Sequence, residues 1–340
     1  MNYSKHCRKW KPHGDGFSLE GKVTRVMNAS KAKSCTIALP SWVSDRFSIP
    51  LLDERLQGCG AHVRVGVGST LQDRARRWVV VGAEIDCNGL DAARLRVATH
   101  RAMAWLREAL RMSGAEHPIR IWNFLPGIHD YLDGSPLATQ EVLDRYRAFN
   151  LGRFDGFYDW FGPPDRFSRR LPTATGVGHT GSSLQIFVLG SSAAGQPVDN
   201  PRQIPAFAYS SRFGPRPPCF ARATHAQLPD GDFLLVGGTA SVRGEESLHE
   251  CSAEDQWRET MANFSALFEN AMPLGTFGWA GVEHARAYVR REEDLASTRR
   301  VLNAAMAGRV TQEALLADIC RSELLMEVEL LVSNVRTSDG

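Results

Sequence analysis

The sequence predicts an α+β protein of two halves, and three observations carry that expectation. The second half alternates strand-like runs with amphipathic helices. Its last strand sorts apolar and acidic residues onto opposite faces. A stretch rich in Gly, Pro and aromatics at 152–181 separates it from a first half with strands and helices of its own. The boundary is expected near the end of that stretch, giving an N-terminal domain at 1–175 and a C-terminal domain at 182–335.

Taken in order, strand-like runs occupy 62–68 and 77–82. An amphipathic helix is expected over 91–112, where Leu95, Ala102, Leu106 and Leu110 recur at helical spacing. A short strand at 119–124 and a turn at Pro126-Gly127 follow. A second helix is expected from Thr139, with Leu143, Tyr146 and Phe149 on one stripe. In the second half, apolar runs at 184–189, 206–210, 219–224 and 232–237 read as strands. Pro229-Asp230-Gly231 between the last two predicts a hairpin. Ser252 followed by Asp255 predicts a capped helix start, and Trp257, Met261, Phe264 and Phe268 mark its buried face. A strand at 284–289, a helix at 292–305 and a strand at 324–332 complete the series. Residues 1–60 yield no assignment.

Composition sets the limits. Of 340 residues 43% are hydrophobic and 23% charged, which is enough apolar surface for a folded core. Forty basic and 38 acidic side chains leave a formal charge of +2, so no global field selects a nucleic acid, and any preference for anions has to come from a local arginine cluster. The start, MNYSKHCRKWKPHG, lacks the apolar region of a signal peptide, and no run approaches the roughly 20 apolar residues of a membrane span. Seven dispersed cysteines without a CxxC pair argue against a disulfide framework and a structural zinc site. The expectation is a cytoplasmic protein with free thiols and no metal, organic cofactor, membrane or nucleic-acid partner.

Chemistry is concentrated near the C-terminus. In Leu324-Leu325-Met326-Glu327-Val328-Glu329-Leu330-Leu331-Val332 the even positions are all apolar and suit packing under helices. The odd positions carry Glu327 and Glu329 to the other face, which meets either solvent or a partner sheet. A solvated acidic face is the plain alternative. Upstream, Gly214-Pro-Arg216-Pro-Pro holds one arginine in a restricted loop, and Arg222 follows between Phe220, Ala221 and Ala223. A half-buried guanidinium needs an anionic partner, and its planar fork matches a carboxylate. A surface role for Arg216 and a core role for Tyr209 are the corresponding alternatives.

The runs NPRQIPAFAYSSRFGPRPPCFARAT, GGTASVRGEES and CRSELLMEVE, with WNFLPGIHD and LDRYRAFNLGR before them, resemble the chorismatase family over about 122–332. The MEVE strand is also similar to the last strand of the RidA (YjgF-like) fold. The resemblance implies two RidA-like halves, each a mixed sheet covered on one face by helices, with the active site in a cleft lined by the C-terminal half. It implies chorismate as substrate, Glu327 as catalytic acid, and Arg153, Tyr209 and Arg222 on the substrate's carboxylates and ring hydroxyl. Tyr146, two helical turns before Arg153, and Arg216 join as further binding candidates. Cys320, seven residues before Glu327, matches the 3-hydroxybenzoate-forming branch, whereas Ala240 stands where some aromatising members have Gly. Glu245 departs from the His expected near its position and receives no role. A dihydrodiol or 4-hydroxybenzoate product, or a RidA-like binding protein without chorismate activity, are the alternatives. With two such halves in one chain, a monomer is expected.

Overall fold

Residues 37–56, 61–133, 142–306 and 310–335 are described by the computed structural model of the chain. The fold is built on two sheets, and the same order of elements produces each. In the first half β1 (Glu54–Leu56), β2 (Val63–Val67), β3 (Leu71–Gln72) and β4 (Arg77–Asp86) precede α2 (Ala92–Met112), after a short α1 (Ser41–Arg46). Then come β5 (His117–Pro126), α3 (Arg145–Phe161), β6 (Thr173–His179) and β7 (Ser183–Ser191). The strands lie in the order β1-β2-β4-β7-β5-β6, with β3 on β4, and β5 and β6 are the one parallel pair.

The second half repeats this plan. β8 (Gln196–Val198), β9 (Ala223–Leu228) and β10 (Gly231–Thr239) lead into α4 (Ala253–Ala271), after a two-strand flap of β11 (Val242–Arg243) and β12 (Glu246–Ser247). β13 (Val282–Val289), α5 (Glu292–Ala305), β14 (Thr311–Leu316) and β15 (Met326–Ser333) follow. The order is β14-β13-β15-β10-β9-β8, again with one parallel pair, β13 and β14. In each half the last strand inserts between the strand before the first long helix and the strand after it. The expected α+β architecture, two mixed sheets each covered on one face by helices, is what the chain adopts.

Local chemistry explains the helices. Asp91, Asp144 and Ser252 each accept a hydrogen bond from a backbone N–H in the first turn of α2, α3 and α4, satisfying donors that a helix start leaves free. The predicted helix start at Thr139 lies outside the described residues, and the described helix is capped at Asp144. Gly152 brings α3 onto α2, since a Cβ there would sit 2.3 Å from the Arg96 carbonyl oxygen. That contact seats the turn carrying Arg153.

Alternation in the strands creates three cores. Val79, Val81, Ala83 and Ile85 of β4 pack under α2 and α3, while Val236, Val328 and Leu330 pack with Phe264 and Leu302 under α4 and α5. The opposite faces meet each other: Trp78, Val80, Trp122, Phe124 and Phe187 of the first sheet join Phe233, Leu235, Tyr288 and Leu331 of the second. The acidic face of β15 is therefore turned to a partner sheet.

Two expectations need correction. The boundary at 175–182 cuts through the first sheet, because β7 pairs with both β4 and β5 at its centre. The passage between halves follows Ser191, and the run at 184–189 belongs to the first half. The run at 206–210 is not a strand, since Ala206–Ala208 form a 3-10 turn after Pro205. Among the described residues no helix is long and apolar enough to cross a membrane.

Candidate active site

Where the two sheets face each other, a cavity of about 430 Å³ opens. Its walls come from α3 and the loop before it, from β6, from the 209–222 loop, from β10, and from the turn leading into β15. Glu327, Cys320, Tyr146, Arg153, Tyr209 and Arg222 all line it. Tyr146 and Glu327, 181 positions apart, share one space, which explains why no local pattern could have joined them.

Glu327 sits at the base, 5% exposed, on a central strand paired to both β10 and β13. Among the described residues no side chain donates a hydrogen bond to its carboxyl. Gly238 on β10 makes the room: a Cβ there would lie 1.7 Å from Glu327 Oε1. Burial in this spot raises the carboxyl to about 8; Glu329 adds to the rise, while Arg120 and Arg222 act against it. The acid is thus protonated near neutral pH.

Two arginines are buried with donors to spare. Arg153 is 2% exposed, its guanidinium 5.1 Å from the Phe149 ring, and its Nε and one terminal nitrogen have no protein acceptor. Arg222, 6% exposed, donates to the Tyr209 hydroxyl at 2.5 Å and to the Ile204 carbonyl at 3.2 Å, and its Nε is unpaired. Buried donors without acceptors are costly, so these point to an anion that enters the cavity. Tyr146 is held neutral by burial. Cys320 is pushed up to about 12 by burial and then by Glu327, and stays a neutral thiol.

Arg216 is elsewhere. The proline-rich loop turns it outward onto Phe154, 4.5 Å from the ring, in a surface groove with Arg96, His100 and Asp159, so it is not a lining residue of this cavity. Glu245 accepts from the Ser210 N–H and pairs with Arg212, a loop tie beside the site. Ala240 does line the cavity.

Sequence reasoning missed several wall residues. Arg321 lies 3.9 Å from the Phe213 ring and 5.2 Å from that of Tyr209, and donates to the Glu245 carbonyl and Ser247 Oγ. Its place beside Cys320 was the available signal. Arg147, Arg212 and Glu323 border the same space, as does His129, whose Nε2 is buried without a partner. Among the described residues no group of His, Cys, Asp and Glu is arranged to hold a metal ion.

Comparison with known proteins bears on this geometry. Residues 63–190, which run from the start of β2 into the last residues of β7, match the family profile described as chorismatase FkbO/Hyg5-like, N-terminal. A 3-hydroxybenzoate synthase of Streptomyces hygroscopicus is 33% identical over 247 residues, 69% of each chain. A chorismatase of the same organism is 31% identical over 63% of this chain and 61% of its own. A chorismatase crystal structure superimposes with a TM-score of 0.66 at 28% identity, covering 78% of this chain and 79% of the other.

Proposed function

The chain belongs to the chorismatase family of enzymes, and from that premise we propose that it converts chorismate to 3-hydroxybenzoate and pyruvate, with Glu327 as the proton donor. One observation carries the reading: a buried carboxyl that favours its protonated form shares a cavity with two buried guanidinium groups that have unused donors. Chorismate has two carboxylates and a vinyl ether, and each feature of the cavity answers one of them.

Arg153 and Arg222 hold the two carboxylates, and Tyr209 and Tyr146 supply hydroxyls to the ring side. With both guanidinium charges engaged by substrate, Glu327 keeps its proton until the terminal methylene carbon is presented. Transfer of that proton makes an oxocarbenium ion, whose positive charge the resulting Glu327 carboxylate stabilises. Water or the neighbouring ring hydroxyl then adds to the oxocarbenium carbon, and collapse of the adduct breaks the ether bond to that carbon and releases pyruvate. The 3-hydroxybenzoate branch conserves the atoms of chorismate, so the neighbouring ring hydroxyl completes it with no net uptake of water. The dihydrodiol branch takes up one water. No step of either branch calls for an oxidant or a metal.

Cys320 lines the cavity as a neutral thiol and supports the aromatic product by resemblance to that branch. Ala240, in the wall where some aromatising members have Gly, favours the dihydrodiol as the second reading. Each half buries its sheet against the other, which supports action as a monomer.

Incubation of the purified protein with chorismate, following pyruvate and ring products by chromatography, tests the proposal. Pyruvate with 3-hydroxybenzoate is expected. Pyruvate with a non-aromatic diol would transfer the assignment to the second reading. No pyruvate from a folded sample would sink both and favour a RidA-like binding protein. In the same assay Cys320→Ala is expected to divert product from 3-hydroxybenzoate to the diol while pyruvate release continues. An unchanged product ratio would remove Cys320 from the aromatising step.

A further inference from the structure

One pleat along β15 from the acid lies a second carboxylate that the reaction above does not use. Glu329 is 3% exposed and does not line the cavity. It accepts from a terminal nitrogen of Arg120 at 2.6 Å, from Thr175 Oγ1 at 2.6 Å and from Trp122 Nε1 at 3.3 Å. Arg120 is itself 2% exposed, lies 4.7 Å from the Trp122 ring and donates to the Ile121 carbonyl at 2.8 Å. Thr175 Oγ1 also accepts from the N–H of Gly238 at 3.1 Å, the residue against which the Glu327 carboxyl rests. Apolar residues of similar volume often serve stability as well as a buried ion pair. The pair is better explained by its effect on a neighbour.

We propose that Glu329 is a positioning residue for the acid: clamped by Arg120, Thr175 and Trp122, its fixed negative charge keeps the proton on Glu327 until substrate takes it. This rests on the reading of Glu327 as proton donor. The groups around Glu327 leave few other candidates. Tyr146 from α3, Cys320 from the turn before β15 and Tyr288 from β13 are all held neutral by burial. The charges that bear on its proton are Glu329, Arg120 on β5 and Arg222 ahead of β9, while Arg286, which β13 sets opposite Glu329, is bonded to Glu313, and Arg153, Arg321 and Glu323 line the same cavity. Of the charges that bear on the proton only Glu329 favours the protonated acid, and Thr175 links it to the backbone beside that acid.

The test is a pair of variants whose effects have opposite signs. Glu329→Gln removes the negative charge and leaves Arg120 to draw the proton from Glu327. The basic limb of kcat/KM should move to lower pH by roughly one unit or more, with the low-pH plateau held within a few fold. Arg120→Gln leaves Glu329 unopposed and should move the limb to higher pH, so either variant carries the test if the other does not fold. Infrared titration of the Glu327 carboxyl, identified by its loss in Glu327→Gln, should show the same shifts without substrate. A lowered plateau with an unmoved limb, which a structural role would give, overturns the proposal, as does a Glu327 titration that neither variant changes. Full turnover by Glu327→Gln would instead overturn the donor assignment, while the infrared comparison still decides the role of Glu329.

Discussion

Glu327→Gln is expected to lower pyruvate release by roughly 10²- to 10⁴-fold near pH 7, the usual contribution of a positioned proton donor, with little change in KM. The amide fits the pocket that Gly238 leaves but has no proton to give to carbon. In the parent enzyme the same carboxyl dictates a pH profile. Held at about 8, it is protonated below that value, so the rate is level there and falls tenfold per unit above it. A rate that climbs between pH 7 and 9 would contradict the donor role. Stability has the same sign. An unfolded carboxyl ionises near 4.5 and the folded one near 8, so the fold loses stability as pH rises between them. Glu327→Gln removes that loss and should melt at a higher temperature than the parent at pH 9, an active-site cost released together with activity.

Arg153→Met and Arg222→Met should each raise KM for chorismate roughly 10- to 150-fold, the range for losing one charge-assisted hydrogen bond of about 1.5–3 kcal/mol. Arg153 gives the sharper test. Two of its donors lack acceptors in the free protein, so a methionine of similar length removes a burial penalty along with the charge. Its melting temperature should hold or rise while binding weakens. An unchanged KM in Arg153→Met would mean that this guanidinium does not meet the substrate. Arg222→Met also strips the Tyr209 hydroxyl of its donor, so the tyrosine's placement is expected to loosen with it.

Much of the second half was legible because the two faces of its elements differ in chemistry. The alternation at 324–332 placed both glutamates away from the helices, and α5 falls on the 292–305 expected for it. The site was less legible because its parts meet through the fold. Glycines at 152, 176 and 178 resemble a linker, yet they lie in α3 and β6, where small residues admit neighbours. That misplaced the boundary. Arg216 and Arg222 look alike in sequence, but the intervening prolines send one outward and the other in. The tie between Arg120 and Glu329 spans 209 positions, and an isolated arginine in an apolar run does not name its partner. β14, a half-exposed edge strand at Thr311–Leu316, lacked the contrast between faces that reveals a strand.

The acid's seat on a doubly paired strand, roofed by the other sheet, has a consequence for turnover. Hydrogen-bonded neighbours on either side hold that backbone still, so it cannot swing to solvent to be recharged. The proton that leaves with the methylene carbon is returned inside the cavity, from the aromatising ring in one branch and from the added water in the other. Rearming the acid therefore belongs to the chemical step, and the site empties already set for the next turnover.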